Sequence, residues 1–193
     1  LHRDGRQVVR TALSILSYAV SGIHGIELPA GRLCPLPPPG PQPRSARLPG
    51  LAALLSRRAL AGTAPPSSTS VFFGTALGCV TETEAFVENM HRKKEALPLP
   101  RAFSASVHNA VASRVAIEIK AQGECQTFVH GEVSFVQALF AAALRRLRGA
   151  AGMALVGGVD ESTPYVVRAR AAWGCESSWG GVEGCGFFLC GVP

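Results

Sequence analysis

Residues 104–161, SASVHNAVASRVAIEIKAQGECQTFVHGEVSFVQALFAAALRRLRGAAGMALVGGVDE, decide the fold of this chain. Within them, Ser134–Arg148 is predicted to be the strongest helix, because its apolar residues follow the 3.6-residue period. A short strand is predicted before it at Gln126–His130, and an apolar, fully buried strand after it at Met153–Val159. Alternating strands and helices predict an α/β domain built in layers. In such a domain we expect the chemistry at the turn Gly131–Val133, between strand and helix.

The composition predicts one packed domain. The chain has 193 residues, of which 47% are hydrophobic and 17% charged, and this balance favours a buried core over disorder. The net charge of +6 comes from short basic clusters with no interleaved aromatic residues. We therefore expect solvated helix surfaces and no nucleic-acid partner. The clusters are Arg57-Arg58, Arg92–Lys94 and Arg145-Arg146 with Arg148.

The six cysteines are scattered and form no C-x-x-C pair, so the sequence predicts no metal site and no cofactor. Such cysteines are typical of small buried residues in a reducing compartment. Leu13–Ile26 follows three arginines and superficially resembles an export signal, but polar residues interrupt it and it is too short to span a membrane. We expect a cytoplasmic protein with no membrane partner. We interpret 12–26 as a core strand with its flanks; a short helix at Thr11–Tyr18 is the alternative.

The remaining segments alternate between apolar elements and proline-rich connections. A short helix is predicted at Leu51–Leu60 and a buried strand at Val71–Thr75. Thr81 and Glu84 have the spacing of a capping box that opens a helix through Lys94. Pro98 and Pro100 predict an extended connection, followed by a helix at Asn109–Lys120.

Shifts in composition divide the chain into four segments. Residues 1–27 are the N-terminal segment and first strand, and 28–70 hold a Pro-rich loop, the short helix and a linker. Residues 71–167 form the core, and 168–193 form a Gly/Trp/Cys-rich tail that we expect to be irregular. The alternatives for the tail are a strand at Gly186–Leu189 or a non-homologous or out-of-frame terminus.

Several motifs, taken in order, resemble the N-terminal half of a β-ketoacyl synthase. They are Pro100 with Phe103, Ser106–Ala110, the strand at Thr127–His130, Ser134-Phe135 with its long helix, and Leu155–Glu161. The chain is most similar to the short synthase-like N-terminal-domain proteins of type II fatty-acid, polyketide and aryl-polyene pathways. This resemblance covers Val71–Glu161 well and Ala19–Leu60 weakly. It implies the N-terminal half of a thiolase-like layered fold, a mixed sheet with packing helices, in a protein that is usually dimeric. In a full synthase the second half supplies two catalytic histidines, for which we expect no room in this chain.

A synthase of this type places its nucleophilic cysteine at the first turn of the buried helix, where the N–H groups and the helix dipole stabilise the thiolate. The resemblance puts that position at Glu132 or Val133, and neither is a cysteine. Cys125 lies at the start of the preceding strand, at another level of the fold. We therefore expect no acyl-thioester on this chain.

Glu132, His130 and His108 are the candidate catalytic residues. The resemblance suggests that Glu132 replaces the cysteine, as polar residues do in chain-length-factor and loading-type relatives, which shape a tunnel or decarboxylate. The interpretation we favour is that its carboxylate caps the following helix. His130 is a candidate to face a pocket. His108 is either a general base or, as we favour, a hydrogen-bonded residue at the start of its helix.

Other reactive residues have simpler interpretations. Ser104 and Ser106 lie near His108, as in a hydrolase, but the residues around Ser134 do not form a G-x-S-x-G motif. Cys79 is expected to be packed. Asp160-Glu161 is either a pair of carboxylates acting together or, as we favour, a solvated strand end.

Three functions remain open. The leading hypothesis is a non-condensing, synthase-like subunit that pairs with a catalytic ketosynthase, or with a second copy of itself, and works with an acyl carrier protein. The second is an acyltransferase or decarboxylase that uses Glu132 and His130 on carrier-bound substrates. The third is a degenerate synthase fragment, suggested by the unusual tail and the absence of a starting methionine.

Overall fold

The computed structural model describes residues 14–22, 25–27, 33–34, 47–60, 64–94, 100–174 and 184–191. The predictions for Leu1–Arg10, for Pro37–Pro39 and for 175–183 lie outside them. The strands of the described residues form one mixed sheet. They are β1 (Ser14–Gly22), β2 (Gly25–Glu27), β3 (Leu33–Cys34), β4 (Ser70–Gly74), β5 (Cys125–Phe128), β6 (Ala154–Asp160) and β7 (Gly184–Gly191). Their order is β3-β2-β1-β7-β6-β4-β5. β4 runs parallel to β5 and β6, whereas β7 is antiparallel to β6 and β1.

Helices cover both faces of this sheet. The helices of the described residues are α1 (Arg47–Ala59), α2 (Val80–Arg92), α3 (Pro100–Ser106), α4 (Ala110–Glu118), α5 (Ser134–Leu147) and α6 (Pro164–Ala172). Side chains alternate across a strand, so Val71 and Phe73 of β4 pack with α1 and α4 on one face, while Phe72 packs with α5 on the other. The predicted layered α/β fold, similar to the N-terminal half of a thiolase-like fold, is confirmed.

Two glycines allow close packing, Gly74 between α5 and the sheet and Gly157 between two neighbouring strands of the sheet. A Cβ atom on Gly74, the last residue of β4, would lie 2.5 Å from the backbone nitrogen of Phe135 and 2.5 Å from the carbonyl carbon of Ser134. A Cβ atom on Gly157 in β6 would lie 2.3 Å from the ring of Phe187. Both positions therefore exclude any side chain, and Gly74 allows the first turn of α5 to sit directly on the end of β4.

Two predictions made around α2 and α3 are wrong. Pro100 does not force an extended connection but is the first residue of α3, a position where its missing N–H costs nothing. Thr81 and Glu84 do not form a capping box, because α2 begins after Cys79 with no cap from its own side chains. Glu84 instead pairs with the hydroxyl of Thr163, and the N–H of Thr81 donates to Glu161 at 2.8 Å.

The tail predicted as irregular over 168–193 is ordered wherever it is described. α6 extends to Ala172, and β7 occupies the middle of the sheet between β1 and β6. The alternative strand at Gly186–Leu189 was therefore the better prediction, although β7 is longer. The first strand is confirmed, because β1 includes residues 14–18 and leaves no helix there. The division of the chain into four segments stays a prediction.

No helix among the described residues has the length and hydrophobicity needed to cross a bilayer.

Candidate functional site

Three loops meet at one edge of the sheet. β4, β5 and β6 are parallel neighbours, so their carboxyl ends point the same way. Thr75–Gly78 follow β4 and Val129–Val133 follow β5, while β6 ends at Asp160, directly before Glu161. In open α/β sheets, ligands bind outside the carboxyl ends of the strands. We call this region the carboxyl edge.

The turn before α5 is held by the hydroxyl of Ser134. This oxygen accepts a hydrogen bond from the N–H of His130 at 2.8 Å and donates one to the carbonyl of Gly131 at 2.7 Å. Ser134 is buried, and Gly131 has a φ of 56°, a left-handed conformation that glycine adopts without strain. This role of Ser134 was not predicted from the sequence, where its context was compared only with a nucleophile motif. The spacing of a serine at the first helical position, four residues after His130, was the available signal.

His130 and Glu132 lie together on this turn, and both side chains are exposed. The imidazole Nδ1 of His130 is 3.3 Å from the amide Nε2 of Gln137, one turn into α5. This contact orients the ring and leaves its Nε2 directed away from Gln137. The expected cap from Glu132 is wrong: the N-cap residue of α5 is Val133, and no side chain caps the helix. The Glu132 carboxylate therefore stands at the turn with no bond to the backbone of α5.

His108 lies at a different loop of the carboxyl edge. It precedes α4 and is exposed, and a Cβ atom on Gly78 would lie 3.0 Å from its Cδ2. Within the described residues, no hydrogen bond joins His108 to His130 or Glu132. The structure thus brings His130 and Glu132 together, and places His108 against the loop that follows β4.

Asp160 and Glu161 are not a solvated strand end. The Asp160 carboxylate accepts hydrogen bonds from the Thr75 hydroxyl and the Ala76 N–H, each at 2.8 Å, and from the Leu77 N–H at 2.9 Å. Glu161 is 3% exposed and caps α2 through the N–H of Thr81. The two carboxylates do act together, but as acceptors that fix the loop between β4 and α2. We call this pair the carboxylate clamp.

Four cysteine thiols have raised pKa values. Cys125 is at the amino end of β5, the opposite end from the turn, and partial burial raises its pKa. Burial, with smaller contributions from Glu161 and Glu82, raises the pKa of Cys79 to about 12, which agrees with a packed thiol. Burial also raises the pKa of Cys190 to about 11 and that of Cys185 further. A thiol with a raised pKa carries little thiolate at neutral pH.

The serines near His108 serve their own helix. The hydroxyl of Ser104 donates to the carbonyl of Arg101 at 3.1 Å, and that of Ser106 donates to Phe103 at 2.9 Å. Both hydroxyls are therefore engaged within α3, and neither serine needs a hydrolase role to explain its position. Across the described ranges, no three His, Cys, Asp or Glu side chains are grouped as metal ligands would be.

Comparisons with known proteins agree with this architecture. The family "Beta-ketoacyl synthase, N-terminal domain" matches residues 44–176. No curated protein matches the chain.

Among solved structures, the ishigamide ketosynthase/chain length factor is similar with a TM-score of 0.76 and 22% identity, over 93% of this chain and 62% of that one. A ketosynthase in complex with its chain length factor from Xenorhabdus doucetiae gives 0.71 and 17%, over 94% and 79%. A type II polyketide acyl-carrier protein in complex with its ketosynthase bound to the hexaketide gives 0.76 and 14%, over 93% and 62%. This chain therefore spans less than two thirds of the ishigamide ketosynthase/chain length factor and of the hexaketide-bound ketosynthase complex.

Proposed function

Because the chain belongs to the family of β-ketoacyl synthase N-terminal domains, we propose that it is a non-condensing, ketosynthase-like subunit. In this role it pairs with a catalytic ketosynthase, or with a second copy of itself, in a type II fatty-acid, polyketide or aryl-polyene pathway. Its contribution is to shape the site in which a carrier-bound chain is held, as a chain length factor does, and not to form the acyl-thioester.

One observation carries this proposal. The strand-turn-helix frame of β5 and α5 is present, yet Glu132 and Val133, the two residues that the resemblance assigns to the nucleophile position, are both exposed and neither is a cysteine. Cys125 lies at the far end of β5, and Cys79 is packed under the carboxylate clamp. A chain with this arrangement keeps the scaffold of a synthase and lacks a thiolate where condensation requires one.

The similar structures support the choice of partners. One is a ketosynthase with its chain length factor, and another is a carrier protein with its ketosynthase. We expect the carrier protein to be acidic. The exposed cations Lys93, Lys94 and Arg148 of this chain would attract such a partner. The free thiols of Cys79, Cys125, Cys185 and Cys190 support a cytoplasmic location.

Co-expression with a ketosynthase encoded beside this chain tests the proposal, followed by size-exclusion chromatography of the mixture. We expect one peak that contains both chains, or a peak of a self-associated chain that a loaded carrier protein joins. Separate monomer peaks at all concentrations, with no shift on adding the carrier protein, would contradict it.

The orientation of His130 by Gln137 favours a second candidate, a decarboxylase acting on malonyl-carrier protein. Here His130 and Glu132 would touch the malonyl group at the turn. Carbon dioxide release from malonyl-carrier protein is the readout, with Glu132→Ala and His130→Ala as variants. Glu88→Ala, an exposed change on α2, is the matched control. Equal carbon dioxide release by the wild type and the three variants would show that the turn does not carry this activity.

A further inference from the structure

The helices α2 and α3 lie outside the hydrophobic cores of the described residues. One core lies between the sheet and α1 with α4, and the other lies between the sheet and α5. Within the described chain, neither core contains a side chain from α2 or α3. All of α2 is described and every one of its side chains is at least partly exposed, while α3 buries Ala102. The two helices therefore gain little of the apolar burial that stabilises α1, α4 and α5.

Aromatic rings hold these two helices to each other. The ring centroids of Phe86 in α2 and Phe103 in α3 are 5.4 Å apart. Phe103 is 54% exposed, and so is more than half of Val87 beside Phe86, so this contact lies toward the solvent and away from the sheet. A contact between α2 and α3 is kept when both helices move together. We therefore expect the two helices to behave as one unit, which we call the α2–α3 pair.

The chain enters α2 and leaves α3 at the same place. Gly78 comes just before Cys79 and α2, and His108 comes just after α3. A Cβ atom on Gly78 would lie 3.0 Å from the imidazole Cδ2 of His108, so the two positions are in contact. Gly78 has a φ of 70°, which glycine adopts without strain. Because its two ends are neighbours, the α2–α3 pair can move away without separating the elements that precede and follow it.

Polar contacts latch the α2–α3 pair to the residues at the end of β6. The N–H of Thr81 donates to Glu161 at 2.8 Å, and the hydroxyl of Thr163 donates to Glu84. Cys79, the N-cap residue of α2, is 1% exposed and anchors the base of the pair in the core. A latch made of a few hydrogen bonds opens more often than a packed core does, because each bond contributes little net free energy.

We propose that the α2–α3 pair is a latched unit that opens from the carboxyl edge while the sheet with α1, α4 and α5 stays folded. Opening breaks the bond between Glu84 and Thr163 and draws His108 away from Gly78. It also exposes the Cys79 thiol, which is buried in the closed form. The unit is thus a conformational device that controls access to the carboxyl edge. It rests on contacts within this chain and not on the proposed function.

Hydrogen exchange of the full chain in native buffer, followed by peptide mass spectrometry, tests the proposal. We expect the amides of α2 and α3 to exchange at a common rate, at least about 100-fold faster than those of β4 and β6. Glu84→Ala should raise this rate about 10-fold in both helices, because one partly buried, charge-assisted bond is lost. Glu88→Ala, an exposed change on the same helix, is the matched control and should change the rate by less than about threefold.

Two buried cysteines provide the second measurement. Cys79 lies at the base of the α2–α3 pair, whereas Cys185 is 3% exposed in β7, in the middle of the sheet. We expect iodoacetamide to label Cys79 faster than Cys185 in native buffer, as peptide mapping can show. Glu84→Ala should raise the labelling rate of Cys79 and leave that of Cys185 unchanged, which also shows that the variant is folded.

Three results would overturn the proposal. Equal labelling rates of Cys79 and Cys185 would show that Cys79 is exposed only when the whole chain unfolds. Exchange in α2 and α3 as slow as in β4 would show that the latch does not open. An effect of Glu84→Ala confined to α2 would show that the two helices do not move as one unit.

Discussion

Removing the Asp160 carboxylate should destabilise the fold more than removing any exposed charge. Asp160 accepts hydrogen bonds from the Thr75 hydroxyl, the Ala76 N–H and the Leu77 N–H. Hydrogen bonds to a charged group each contribute about 1.5–3 kcal/mol, but Leu77 is exposed and water replaces its bond. Two bonds remain, and we expect Asp160→Ala to lower the free energy of unfolding by about 3–6 kcal/mol. Asp160→Asn keeps one acceptor oxygen and should lower it by about 1–2 kcal/mol.

Urea denaturation monitored by circular dichroism measures these differences, provided that the slopes agree among variants. Glu88→Ala is the matched control, because Glu88 is exposed and its ion pair with Arg92 is of the i,i+4 type, which contributes at most about 0.5 kcal/mol. If Asp160→Ala and Glu88→Ala destabilise the protein equally, the carboxylate clamp does not hold the loop between β4 and α2.

Three further predictions concern the same elements. Gly74→Ala should lower the free energy of unfolding by about 2–3 kcal/mol, against about 1–2 for Gly131→Ala, whose Cβ meets nothing; equal urea midpoints would contradict the close approach of α5. Iodoacetamide should modify Cys125 before Cys79, and the thiol introduced by Glu132→Cys should react faster than either, as peptide mass mapping can show. Slower modification at position 132 would contradict the assignment of the nucleophile position to this turn. Because the pKa of Cys79 is raised from 9.0 to about 12, its contribution to stability is complete below pH 9 and is lost as pH rises toward 12. Cys79→Ala should lose less stability over this pH range than the wild type. An equal fall in urea midpoint in the two proteins would contradict this prediction.

The elements with strong local patterns were predictable. α5 follows the helical period over its whole length, and β4 and β6 are continuous apolar runs, so the sequence placed all three within two residues. α3 was missed because Pro100 was taken as part of an extended connection, although it opens the helix. α6 was missed because 168–193 was expected to be irregular, although Pro164 opens this helix and Thr163 caps it. β7 was obscured by its glycines. Its place in the sheet is set by long-range contacts, such as Phe187 against Gly157.

The candidate site was predictable in position and not in its bonds. The resemblance located the turn before α5, and the structure has a turn there; that Glu132 or Val133 stands at the nucleophile position stays a prediction. The carboxylate clamp joins residues more than 80 positions apart, and no local spacing contains that pairing. The same pairing displaced the capping box, because Glu161 supplies from across the fold what Glu84 would have supplied locally.

Intact-protein mass spectrometry after incubation with an octanoyl-carrier protein tests the central claim most directly. We predict that the chain keeps its unmodified mass while a condensing ketosynthase, treated in parallel, gains an octanoyl group. A hydroxylamine-labile octanoyl adduct on any cysteine of this chain would contradict the account, because it would show that the scaffold still forms the acyl-thioester.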